Sequence, residues 1–131
     1  MELKVFLLGS SKTEQRLKAT LNGIKVHLTR FADLTEAISQ LDREKCDVFM
    51  VDSALENVHA ACHAIGNLGH MPLVLYASRR KMNWEKLTSL SVDGYLPYSV
   101  SGAELAARLQ AVIRRHSSHP ELGKYTPGTK E

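Results

Sequence analysis

The chain has 131 residues, 44% of them apolar, enough for one hydrophobic core and short for two. Its net charge of +3 is too mild to argue for nucleic acid, and its only cysteines, Cys46 and Cys62, lack the spacing of a disulfide framework. The opening MELKVFLLGS is too short for a signal-peptide core and no apolar run reaches membrane-span length, so a cytoplasmic chain with no membrane segment is expected.

Apolar runs fall at Leu3–Leu8, Ile24–Leu28, Val48–Val51, Leu73–Tyr76 and Tyr95–Leu96, the last just after an Asp93-Gly94 turn. Several are continuous rather than alternating, the pattern of strands covered on both faces of a parallel sheet. Helical spacing separates and follows them, at Leu17 and Leu21, then Leu34, Ile38 and Leu41, then Leu55, Val58, Cys62 and Ile65. It returns at Trp84, Leu87 and Leu90, and at Leu105, Leu109, Val112 and Ile113. SKTE at 11–14, SALE at 53–56 and SGAE at 101–104 predict capping boxes that start helices at Ser11, Ser53 and Ser101. Asn22-Gly23, Gly66 and Gly69 mark helix ends, and Pro72 opens the fourth strand. After Arg115 the pattern stops, giving a domain over 1–115 and a polar tail over 116–131, or a linker to an output domain in a longer parent chain.

Five β-then-α units predict an α/β fold, a five-stranded parallel sheet wound on both sides with strand order 2-1-3-4-5. In that order strands 1 and 3 are neighbours, and their C-terminal ends form the crevice where open α/β sheets bind ligands. Gly9, Ser10 and Ser11, then Asp52 and Ser53, then Ala77 and Ser78 would line it.

With DVFMVD closing the third strand on an aspartate, PLVLYAS as the fourth strand and SVDGYLPYSVSGAELAARLQAVIRR as the fifth strand and last helix, residues 3–115 resemble the receiver domain of two-component response regulators. The resemblance implies the CheY-like, flavodoxin-like version of this fold and a phosphoryl group accepted on Asp52. It also implies an acidic pair after the first strand, a Ser or Thr ending the fourth, and a Lys after the fifth. This chain has Gly9 and Ser10 for the pair, Ala77 for the hydroxyl with Ser78 one residue on, and Tyr98 for the lysine. Magnesium binds through hard oxygen ligands, usually one or two carboxylates with phosphate oxygens, and only Asp52 remains to supply one.

The expectation is a degenerate or pseudo-receiver, with Asp52 a vestigial phosphoacceptor and no catalytic residue, metal or cofactor. It would not be an enzyme, and would act in signal transduction or transcription regulation through protein contacts. The resemblance places those contacts, to a protein partner or a second copy, on the fourth helix, fifth strand and last helix, with Met82, Trp84, Glu85, Glu104 and Arg108. Tyr95 falls at the family's aromatic switch position, or is a half-buried strand tyrosine.

Two alternatives stay open. One is a receiver still modified on Asp52; the other is a flavodoxin-like module holding a phosphate-bearing ligand at the Gly9–Thr13 turn, where Lys12 stands at a helix start. His59, Cys62 and His63 lack an obvious fourth ligand and read as a buried thiol between two partly exposed histidines, while His116 and His119 read as solvated tail residues. The basic groups at 79–81 and 114–115 read as helix ends. No helix-turn-helix is visible, so no direct nucleic-acid binding is expected of this segment.

Overall fold

A computed structural model describes residues 2–69, 71–78 and 90–118 of the chain. Five strands, β1 (Leu3–Leu8), β2 (Val26–Phe31), β3 (Val48–Asp52), β4 (Leu73–Ala77) and β5 (Gly94–Pro97), form one sheet in the order β2-β1-β3-β4-β5. Every pairing is parallel, with Leu8 opposite Phe31, Leu8 opposite Val51 and Asp52 opposite Tyr76 in register. The described helices are α1 (Ser11–Thr20), α2 (Leu34–Leu41), α3 (Val58–Gly66) and α4 (Gly102–Ser118), the last being the helix expected to follow the fifth strand.

The continuous apolar runs have a direct cause, because alternate residues of each central strand enter opposite cores. Val5, Leu7, Val48, Met50, Val74 and Tyr76 pack with Leu17 of α1 and with Leu105 and Leu109 of α4. Phe6, Leu8, Phe49, Val51, Leu73 and Leu75 pack on the other side with Ala37 of α2 and with Cys62 and Ile65 of α3. Phe6 meets the rings of Phe31 and Phe49 edge-on, with centroids 5.0 and 6.2 Å away. No described helix is long and apolar enough to cross a membrane.

Several local expectations are corrected. β2 runs from Val26 to Phe31 rather than from Ile24 to Leu28, because the Ile24 N–H bonds the Leu21 carbonyl in the turn closing α1 while Phe31 still pairs with Leu8. α1 is capped by Ser10, whose hydroxyl accepts from the Thr13 N–H at 3.2 Å, not by Ser11. Ser53 caps nothing: Asp52 folds the following residues into a turn, its carbonyl accepting from Leu55 and its carboxylate from Ala54, so α3 begins only at Val58. Ser101 does cap α4 through the Glu104 N–H at 3.2 Å, but the Glu104 side chain pairs with Arg108 instead of returning to Ser101. α4 continues past Arg115 to Ser118, so His116 is a half-buried helix residue with an enclosed Nδ1, not a solvated tail group. Met82, Trp84, Glu85, Leu87, the basic group at 79–81 and His119 lie outside the described residues.

Candidate functional site: a crevice closed over Asp52

Asp52 is the last residue of β3, and the register brings it beside the ends of β1 and β4 at the switch point of the sheet. Its side chain is 2% exposed, so its carboxylate is paired almost wholly by protein. Oδ2 accepts the Thr13 hydroxyl at 2.5 Å, and Oδ1 accepts the Ala54 N–H at 3.0 Å and the Tyr98 hydroxyl. The donors come from the first turn of α1, from the turn after β3 and from the connection after β5. A buried carboxylate is costly unless hydrogen-bonded, and these bonds to a charged acceptor are of the stronger kind.

Tyr98 reaches Asp52 because Ala77 pairs with Pro97 and the Ala77 carbonyl then takes the Tyr98 N–H at 2.8 Å, setting Tyr98 just past the strand on the crevice side. Its ring lies 4.7 Å from the Tyr76 ring, and the Arg16 guanidinium carbon of α1 stands 5.0 Å from its centroid. Burial, and then donation to Asp52, raises the Tyr98 pKa well above the ordinary phenol range, so the hydroxyl is a neutral donor at physiological pH. Burial raises the Tyr76 phenol as well. The Tyr76 hydroxyl lies near Thr20, but the Thr20 hydroxyl donates to the Arg16 carbonyl, and the Tyr76 oxygen has no bond of full geometry.

Gly9, where the resemblance calls for an acid, lies under the Asp52 side chain. A Cβ there would stand 3.1 Å from Asp52 Cβ and 3.4 Å from Oδ2. Asp52 thus leans into the room that a side chain at 9 would need. The Gly9 carbonyl accepts from Arg30 Nη1 at 3.1 Å, and the Arg30 Nε lies 3.4 Å from Glu14, which also faces Lys18. Ser10 spends its hydroxyl on Thr13, at 3.2 Å to the N–H and 3.1 Å to Oγ1. The hydroxyls of Ser10 and Thr13 are therefore engaged in capping the helix and bonding Asp52, while Ser11 between them is exposed. Ala77 is fully buried and Ser78 half-buried beyond it, and neither is among the described donors to Asp52.

A magnesium ion does not fit these residues. The crevice offers one carboxylate with both oxygens engaged, Gly9 offers only a committed carbonyl, and no three His, Cys, Asp or Glu side chains gather to hold a metal among the described residues. His59 and His63 are exposed while Cys62 is buried, with its thiol pushed up to about 11 by burial.

At the far side of β5, Glu104 and Arg108 form an exposed ion pair at 2.8 Å. A groove of about 280 Å³ lies between β5 and α4, floored by Val74, Leu96 and Val112 and edged by Tyr95, Arg108 and Arg115. Tyr95 is half-buried against the α2–α3 core.

No family model and no curated protein sequence matches the chain. Solved structures do. The signal receiver domain of a putative LuxO repressor protein from Vibrio parahaemolyticus is similar with a TM-score of 0.71 at 12% identity, over 93% of this chain and 98% of that one. A putative response regulator from Chloroflexus aurantiacus gives 0.73 at 16% identity, over 87% and 99%. The receiver domain of a sensor histidine kinase from Pseudomonas aeruginosa, with magnesium coordinated in its active-site cleft, gives 0.69 at 18%, over 87% and 99%. The chain has the receiver fold. Within that fold, Thr13, Arg16 and Tyr76 are the parts of the crevice that the strand alignment missed. The sequence held one cue, since Thr13 lies three residues after Ser10, the spacing of a capped first turn.

Proposed function

We propose that this protein is a pseudo-receiver, a non-enzymatic signalling module that works through protein contacts without phosphorylation of Asp52. The observation that carries this reading is the occupied carboxylate, with Thr13 on one oxygen and Tyr98 and Ala54 on the other. Three of the roughly four acceptor sites of this buried carboxylate are taken, so an incoming phosphoryl group would meet a nucleophile almost closed off by its own donors. The charge of the transferring group would then meet Gly9, Ser10 and a neutral tyrosine rather than a metal and a lysine. Losing such electrostatic stabilisation commonly costs about 3–4 kcal/mol of barrier per donor. Asp52, Gly9, Ser10, Ala77 with Ser78, and Tyr98 are on this reading the relics of a phosphoacceptor site, and Tyr95 is a packed strand tyrosine rather than a switch.

The partner surface is assigned to β5 and α4, where the groove combines an apolar floor with Arg108 and Arg115 at its edge and Glu104 nearby, the mix found at protein interfaces. Met82, Trp84 and Glu85, which the family resemblance also assigns to a partner surface, lie outside the described residues. A second copy and a different protein are both occupants consistent with this surface, and transcription control is one output it would serve. The deciding test is incubation of the full chain with acetyl phosphate and Mg²⁺, followed by intact-mass measurement beside Asp52→Asn. The expected result is no phosphoryl adduct in either protein. An adduct in the wild type that vanishes in Asp52→Asn would overturn the reading.

A further inference from the structure

Tyr98 is fastened to three parts of the domain. Its N–H bonds the Ala77 carbonyl at 2.8 Å, its hydroxyl bonds Asp52, and its ring contacts both Tyr76 and the Arg16 guanidinium. The residues after it lead tightly into α4. Val100 is 8% exposed with its N–H on the Pro97 carbonyl at 3.2 Å, and Ser101 caps the helix. Gly102 then meets the end of α1 so closely that a Cβ would stand 2.2 Å from the Thr20 carbonyl oxygen. The start of α4 is thus seated against α1, and the only side chain among the described residues that ties this connection to Asp52 is Tyr98.

We infer that Tyr98 is a positioning residue, a latch that pins the connection between β5 and α4 to Asp52 and holds the surface carried by those two elements in one arrangement. The inference rests on the pseudo-receiver reading and gives the old acceptor carboxylate a new task as a fixed anchor. Tyrosine suits that task better than lysine. A phenol on two rotatable bonds is held by ring contacts with Tyr76 and Arg16, whereas a four-carbon ammonium chain surrenders more rotamer freedom and keeps a strongly hydrated charge. Donation to an ionised acceptor makes the bond of the stronger kind.

The test is native-state amide exchange on the full chain with no phosphoryl donor present, comparing wild type with Tyr98→Phe and Thr13→Val. Phenylalanine keeps the ring and its contacts and removes only the hydroxyl. In Tyr98→Phe the amides of Val100, Glu104 and Leu105 should exchange on the order of tenfold to a hundredfold faster, while Ala37 in α2 and the amides of β2 change by less than about threefold. In Thr13→Val, which removes the other hydroxyl from the same carboxylate, Val100 and Leu105 should stay within about threefold of wild type. Unchanged exchange at Val100 and Leu105 in Tyr98→Phe overturns the latch. So does uniform acceleration across the sheet, which would make Tyr98 a contributor to global stability alone, and so does equal loosening by Thr13→Val. A phosphoryl adduct on wild-type Asp52 would remove the functional reading, whereas the contrast between the two variants tests the latch by itself.

Discussion

Replacing Asp52 with alanine removes the shared acceptor of Thr13, Tyr98 and Ala54, and the structure indicates what each donor does next. Ala54 is exposed, so water takes its N–H at little cost. Tyr98 is half-exposed and recovers part of its bond from solvent. Thr13 is only 7% exposed, with Ser10 Oγ at 3.1 Å as the remaining partner of its hydroxyl among the described residues. Two side-chain hydrogen bonds to a charged group, at about 1.5–3 kcal/mol each, are therefore lost and partly recovered. Removing a buried carboxylate also returns its desolvation cost, which offsets a share of the loss. The net expectation is a destabilisation of about 1–3 kcal/mol, shifting the urea midpoint down by about 1 M at an unchanged m-value. Asp52→Asn, which preserves volume and the Oδ1 acceptor, should cost roughly half as much. Sign is the decisive feature. In a crevice crowded with further acids, deleting one carboxylate relieves like-charge repulsion and raises stability. Here Gly9 and Ser10 contribute no charge, so stability should fall. Urea unfolding followed by far-UV circular dichroism is the assay, and an Asp52→Ala protein as stable as wild type, or more so, would refute the reasoning.

Two further outcomes follow from contacts elsewhere in the fold. Gly102→Ala puts a Cβ 2.2 Å from the backbone oxygen of Thr20, which cannot swing aside, and should destabilise by about 2–3 kcal/mol or more. Gly66→Ala meets nothing closer than 3.8 Å at the end of α3 and should be neutral or stabilise by up to about 1 kcal/mol, so thermal melts of the two that coincide would contradict the close seating of α4 on α1. Burial, with Asp47 acting in the same direction, pushes the Cys46 thiol up to about 12, and burial pushes Cys62 up to about 11. At pH 8 both should therefore alkylate with iodoacetamide at least about tenfold more slowly than a free cysteine, and react fully once urea unfolds the chain. Because these folded-state values are raised, their contribution to stability is complete below the free-thiol range and is lost as the pH climbs through them, so the domain should weaken in strongly alkaline solution.

The sheet was legible in the sequence because central strands buried on both faces must be apolar at every covered position, and Val5–Leu8, Val48–Val51 and Leu73–Tyr76 satisfy that demand without help from the rest of the chain. Edge strand β2 departs from the apolar run at 24–28 because only one of its residues, Phe31, is buried, so its apolar pattern is weak and its bounds follow from pairing with β1. The Ser-x-x-Glu repeats were a poorer guide. A serine caps a helix only where the backbone before it is extended and free, and at Ser53 the Asp52 carboxylate had already turned the chain. By itself the sequence determined the fold class, the strand order and the position of Asp52, since each rests on local period or on the handedness of crossovers. What Asp52 touches was decided by tertiary structure alone. Thr13 and Tyr98 stand 39 and 46 residues from it along the chain, and no local rule brings hydroxyls from α1 and from the end of β5 onto one carboxylate. They meet there because the parallel register of β1, β3, β4 and β5 ends these strands at a common edge, where a buried charge must find its donors among whatever the neighbouring connections supply.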